Sequence, residues 1–180
     1  MKGIVFTEYI EFVENSYGFE TTQQMIDNSN LSNDAVFTSV GTYDPTEFVK
    51  MVLKLSEIVN AEVSELLIAY GKYLFNRFSE LYPHFFHEGL NIFDFINKID
   101  DYIHVEVKKL YPDAELPMVK TVKRNDNMIE IVYNSQRRFG DFAHGLLLGA
   151  VSYFNVDVEI TTRLLEDDGS KVQFILTKKS

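Results

Sequence analysis

The sequence predicts an α+β fold: a helical N-terminal lobe, then a C-terminal lobe in which one helix separates the two hairpins of a four-stranded antiparallel sheet. Three observations lead there. Apolar residues recur at helical spacing through the first two thirds of the chain. The apolar period switches from helical to alternating beyond a stiff segment bounded by Pro112 and Pro117. Two alternating stretches after it each contain a turn signal.

The elements follow in order. Ile4, Tyr9, Phe12 and Val13 place a helix near the start. Phe48, Val52, Leu55 and Val59 mark another, opened by Asp44-Pro45-Thr46-Glu47, where a capping residue precedes Pro at the first helical position and an acidic first turn. Leu66, Leu67, Tyr70, Leu74 and Phe78 mark the next, opening at Val63-Ser64-Glu65. Asp27 to Asp44, rich in Asn, Ser and Asp, reads as a loop with one short helix. From Ile92 to Leu110 a single helix is expected, with Ile92, Ile96, Ile99, Ile103 and Leu110 on one side and Asp94, Lys98, Asp101 and Lys108 on the other. Asn91 caps it and Pro112 ends it.

Pro112 to Pro117 is the expected junction between lobes 1–111 and 112–180 of a single domain. Beyond it, Met118 to Lys123, a turn at Asn125-Asp126-Asn127, and Met128 to Arg137 read as a hairpin. A helix follows from Phe139 to Phe154. Val156 to Leu165, a turn at Asp167-Asp168-Gly169, and Lys171 to Thr177 form the second hairpin.

Composition narrows the function. With 46% apolar and 24% charged residues, the 180-residue chain belongs among ordinary soluble globular proteins. Its 17 Lys and Arg against 27 Asp and Glu leave a net charge of −10, which repels phosphate backbones, so nucleic acid is not an expected partner. No cysteine is present, which excludes a disulfide framework, a catalytic thiol, an iron–sulfur cluster and thiolate-ligated haem or zinc. A reducing cytoplasm is the expected location. Met1 to Val13 is interrupted by Glu8 and Glu11 and is not read as a signal peptide, and no apolar run reaches the length of a membrane helix. Aromatic residues make up 14%, as 15 Phe and 10 Tyr. Such a surplus suits a dense core or a pocket for a planar ligand, and composition leaves both open.

Two local features carry chemistry. In the strand from Ile129 to Arg137, alternation puts Ile129, Ile131, Tyr133, Ser135 and Arg137 on one face. That face begins apolar and ends in a phenol, a hydroxyl and a guanidinium. A buried Arg requires an anion, and the Tyr133 to Arg137 row, about 13 Å long, suits two carboxylates of one ligand. An internal Asp or Glu paired with Arg137 is the alternative.

The second feature is His104, late in the expected helix beside Ile103 and placed to point between that helix and its neighbour. A neutral imidazole there can ligate a metal through one nitrogen while a hydrogen bond holds the other. His84 and His87, in Pro83-His84-Phe85-Phe86-His87-Glu88, lack further ligands and read as surface residues near a helix end. His144 reads as a packing residue.

Taken together, His104, Pro117 and Tyr133-Asn134-Ser135-Gln136-Arg137, in that order, resemble the haem nitric oxide/oxygen-binding (H-NOX) family, related to the sensor domain of soluble guanylate cyclase. The resemblance extends to Met1-Lys2-Gly3, to the stretch from Ile103 to Pro112, and to Phe139-Gly140-Asp141-Phe142-Ala143-His144-Gly145-Leu146. It implies a haem b (Fe protoporphyrin IX) between the two lobes, His104 as the axial ligand of its iron, Tyr133, Ser135 and Arg137 on its propionates, and Pro117 pressing on the macrocycle. Some members place a tyrosine five positions after the motif arginine to hydrogen-bond oxygen; Phe142 stands there in this chain. Val5, Tyr9, Phe78 and Leu146 are the other expected distal residues, and a donor from Tyr9 would turn the chain toward O₂ binding.

The implied function is a nitric oxide sensor without catalysis of its own. It binds NO and CO at ferrous haem, excludes O₂, and signals through release of the proximal His104. With no transmitter module before Ser180, a separate partner is expected, a histidine kinase or a cyclic-di-GMP enzyme of the kind stand-alone bacterial members serve. The rivals are a peroxidase-type haem enzyme, which needs a distal His such as His144, and a cofactor-free interaction domain in which Arg137 has an internal partner.

Overall fold

Gly18 separates the first two helices, α1 (Ile4–Tyr17) and α2 (Phe19–Asn28), with a φ of 87° that glycine adopts without a Cβ penalty. The computed structural model describes residues 1–179; Ser180, the last residue of the expected domain, lies outside the described residues. α2 has no counterpart in the periodicity, because it buries only Thr22 and Met25 and so writes almost no apolar stripe. The irregular segment after it starts at Ser29, slightly later than expected.

α3 (Pro45–Val59) opens as its sequence requires: the Asp44 carboxylate accepts a hydrogen bond from the Thr46 N–H at 2.8 Å, with Pro45 at the first helical position. Asn60, in the left-handed region at φ 52°, ends it. α4 (Val63–Leu81) follows, then a 3₁₀ turn at Pro83–Phe85.

The expected single helix from Ile92 to Leu110 is three pieces. α5 (Ile92–Asn97) gives way to a π-helical turn at Ile99–Ile103 and then α6 (His104–Leu110). In that turn the Ile103 N–H donates to the Lys98 carbonyl, five residues back, at 3.0 Å. A wider turn leaves Ile99 and Ile103 on the same side as Ile92 and Ile96, so spacing alone does not reveal it.

β1 (Met118–Arg124), β2 (Met128–Asn134), β3 (Val158–Leu164) and β4 (Lys171–Lys178) form one antiparallel sheet in the order β1-β2-β4-β3, with α7 (Gly140–Tyr153) between the hairpins. The helix, hairpin, helix, hairpin order is the one expected. β2, however, stops three residues short of Arg137. The Ser135 N–H turns to the Ser170 carbonyl at 2.8 Å, the Arg138 N–H donates to the Ser135 carbonyl, and Arg138 takes a positive φ of 59°. Ser135 and Arg137 therefore sit in a turn after the strand, and the alternating row of donors ends at Tyr133.

Two apolar clusters form the core. One gathers Phe6, Tyr9, Phe48, Leu55 and Tyr70 from α1, α3 and α4. The other gathers Ile129, Ile131, Phe174 and Leu176 from the inner sheet face with Leu147 and Ala150 of α7. Among the described residues, no helix is long and apolar enough to cross a membrane.

Candidate functional site

A cavity of about 280 Å³ lies where the two clusters meet. α1, α4 and α7 contribute Ile4, Val5, Phe75, Phe78, Ala143, Leu146, Leu147 and Ala150, all of them apolar. The π turn, α6 and the connector contribute Ile99, Ile103, His104, Val107, Leu116 and Pro117, and the sheet adds Val119, Ile131, Tyr133 and Phe174. The aromatic surplus thus serves both purposes: Phe6, Tyr9, Phe48 and Tyr70 fill the core, while Phe75, Phe78, Phe85, Phe86 and Phe95 wall the cavity.

His104 is the one histidine in this lining. Its Nδ1 lies 2.8 Å from the Asp100 carboxylate, and the other Asp100 oxygen accepts the Val119 N–H, also at 2.8 Å. With Nδ1 engaged as a donor, Nε2 carries the lone pair that can ligate a metal. Burial lowers the His104 pKa and Asp100 opposes the shift only in part, which favours the neutral, ligating imidazole. Asp100 escaped the sequence reading. Its four-residue spacing from His104 on one helical face was the available signal.

The polar trio is brought together, although not along one strand: only Tyr133 is in the cavity lining, while Arg137 lines a second cleft that shares Lys2 with the cavity and includes Glu115. Tyr133 lines the cavity; burial raises its pKa, partly offset by hydrogen bonding with Ser135 and by the Arg137 charge. The Ser135 hydroxyl accepts the Arg137 N–H at 3.2 Å. The Arg137 guanidinium donates to the Glu115 carbonyl and carboxylate, both at 3.0 Å. The Glu115 side chain is 86% exposed and that of Arg137 only 17%, so this pair adds little stability and the carboxylate is free to swing aside for another anion.

Of the expected distal residues, Val5, Phe78 and Leu146 line the cavity. Phe142 and Tyr9 are outside the lining. Phe142 stacks on Tyr70 with ring centroids 5.4 Å apart. Tyr9 is fully buried among Phe12, Phe48 and Tyr70, and its hydroxyl has no hydrogen-bond partner. His144 also lies outside the lining, its ring 5.9 Å from that of Phe174. His84 packs on Phe85, and His87 meets the Glu88 carbonyl at 3.1 Å. Among the described residues, no group of three or more His, Cys, Asp or Glu is placed to hold a metal ion.

A single imidazole with one nitrogen held, two broad apolar walls and a lining phenol with a hydroxyl and a guanidinium next to it fit an iron porphyrin with two carboxylate tails. The sequence model of a family described as haem-NO-binding matches residues 2–162. The chain belongs to this family, H-NOX. Its fold is that of solved H-NOX structures. The Fe(II) unliganded protein from K. algicida is 33% identical, with a TM-score of 0.94 over 100% of this chain and 97% of that one. The H-NOX from Shewanella woodyi, solved with IWP-051 in the Fe(II)CO state, is 40% identical, with a TM-score of 0.85 over 99% and 95%. The S. oneidensis protein in the Fe(II)NO state is 25% identical, with a TM-score of 0.91 over 100% of both chains. No curated protein matches by sequence.

H-NOX is a haem-binding, gas-sensing family, and haem is the cofactor of this H-NOX chain. Without a cysteine there is no thioether attachment, so the group is held by contacts and ligation alone.

Proposed function

We propose that this H-NOX chain is a nitric oxide sensor, binding NO and CO, excluding O₂, and passing its signal to a separate protein. The observation that carries the reading is that the residues lining the cavity from within α1, α4 and α7 are apolar, the polar neighbours in the lining, Lys2 and Tyr82, standing beyond the helix ends. When bound, haem supplies a ferrous iron with one position open to a diatomic gas. Bound O₂ is stabilised by a hydrogen-bond donor, whereas NO and CO depend on one far less, so a gas side walled by Val5, Phe78 and Leu146 discriminates against O₂.

In this reading His104 ligates the iron through Nε2, Tyr133, Ser135 and Arg137 grip the propionates, and Pro117 leans on the macrocycle. Val5, Phe78 and Leu146 form the distal wall, with Phe142 and Tyr9 in the layer behind it. Weakening of the bond to His104 frees α6, and its movement is the output. A histidine kinase, or alternatively a cyclic-di-GMP enzyme, is the partner, in the cytoplasm, with no catalytic step in the chain itself. The cysteine-free composition favours that compartment. A single domain over 1–180, with lobes meeting at 111/112, belongs to the same proposal and is supported by the family match over 2–162.

Spectra of the purified ferrous protein test this. The expected result is a five-coordinate haem that takes up NO and CO and forms no stable oxygen complex in air. A persistent oxy spectrum overturns the selectivity and points to a donor from Tyr9. His104→Gly is expected to lose axial ligation and to recover it with free imidazole; unchanged spectra move the ligand elsewhere. Peroxide turnover by the wild-type protein would instead support the peroxidase-type rival, which His144 outside the cavity lining disfavours.

A further inference from the structure

Asp100 sits inside the π-helical turn Ile99–Ile103 and uses both carboxylate oxygens at once, one on His104 Nδ1 and one on the Val119 N–H, each at 2.8 Å. Val119 begins the inner register of β1 and is paired across the sheet with Tyr133 of β2. One carboxylate therefore spans the imidazole at the cavity, the edge of the sheet, and the rung on which the cavity-lining phenol stands. Its side chain is 29% exposed and that of His104 18%, a setting where a charge-assisted hydrogen bond is stronger than at an open surface.

We propose that Asp100 is a positioning residue for His104, holding the imidazole in the tautomer that leaves Nε2 to the iron and fastening that ring to β1. The inference rests on the proposed axial role of His104. A carboxylate on the remote nitrogen makes the imidazole a stronger donor to the metal and restricts its rotation. The backbone N–H of Val119 is a fixed partner, so Asp100 cannot follow a displaced His104 without leaving β1. Displacement of His104 must then either break its contact with Asp100 or pull on the sheet edge next to Pro117 and Met118. The π turn serves the same arrangement: it lies between α5, anchored in the core through Ile92 and Ile96, and the helix that begins at His104.

The competing account is that Asp100 only caps the exposed edge of β1. Asp100→Asn separates the two, because its amide retains one oxygen for Val119 but no anionic acceptor for His104; Asp100→Ala removes both. Resonance Raman spectra of the ferrous unliganded holoprotein report the iron–histidine stretch, and transfer to excess apomyoglobin reports haem retention. The expected result is a stretch shifted to lower frequency in both variants, with haem loss about 10- to 100-fold faster than wild type. If Asp100→Ala does not fold, the Asn variant carries the test. A stretch and a loss rate equal to wild type in Asp100→Asn would overturn the positioning role while leaving His104 as ligand. Absence of any iron–histidine band in the wild type, or its survival in His104→Gly, would instead overturn the axial assignment.

Discussion

Gly145 of α7 lies against Ile68 of α4 so closely that a Cβ at position 145 would stand less than 3.0 Å from the Ile68 carbonyl oxygen, a backbone atom that cannot move aside cheaply. Gly71 repeats the relationship from the other helix, against the Phe142 carbonyl. These contacts set how near α4 and α7 approach, and both helices supply apolar residues to the cavity. Gly145→Ala is therefore expected to destabilise the fold by about 1–3 kcal/mol, as overpacking does, read by denaturant unfolding. An unchanged midpoint would show that the crossing is not rigid.

Arg137 and Glu115 lead to opposite expectations for two charge deletions. Arg137→Ala removes the guanidinium proposed for a propionate, and loss of a charge-assisted hydrogen bond of about 1.5–3 kcal/mol corresponds to roughly 10- to 100-fold weaker haem retention. Glu115→Ala removes a competing anion from the same guanidinium, so haem should be held at least as tightly as in the wild type. Haem transfer to apomyoglobin measures both, and weaker retention in Glu115→Ala would contradict the shared role of Arg137.

Tyr9 buries a hydroxyl without a partner, which burdens the folded state by about 1–3 kcal/mol. Tyr9→Phe should raise the denaturation midpoint and leave the ferrous spectra in air unchanged. A fall in stability would mean that the hydroxyl is satisfied in solution.

Glu47 gives the fold an acid-sensitive tie. Its carboxylate accepts hydrogen bonds from Lys50 at 2.7 Å and from the Ser32 N–H at 2.8 Å, and these lower its pKa from 4.5. Because the folded value is depressed, the stabilisation is complete above the unfolded value and is lost as pH falls through the folded one. Glu47→Gln should be less stable than wild type at pH 7, and the gap should narrow as pH falls through the depressed folded value, as followed by thermal unfolding over the acid range.

The outer limits of the fold were legible because they rest on local chemistry. Asp44-Pro45 starts α3 through one side-chain cap, Asn91 starts α5 by accepting the Asp94 N–H, and the change of apolar period after Pro117 places the sheet. The trio of Tyr133, Ser135 and Arg137 was likewise readable as a group seeking an anion. Its arrangement was misread as a continuous strand, because alternation in sequence cannot show that the Ser135 N–H leaves β2 for Ser170. α2 and the π turn were invisible for a related reason: one buries too little to leave a pattern, and the other leaves the pattern intact while changing the hydrogen bonds.

By itself, the sequence determined the order of elements, the family, and the residue types a haem requires, since caps, periodicity and motif spacing are properties of neighbours along the chain. Only the tertiary structure decided that Asp100 joins His104 to Val119, that Glu115 occupies Arg137, and that Tyr9 and Phe142 stand behind the cavity wall. Apart from the four-residue step from Asp100 to His104, those relationships join residues whose separation along the chain carries no periodic signal, and they form only when packing sets the distance between them.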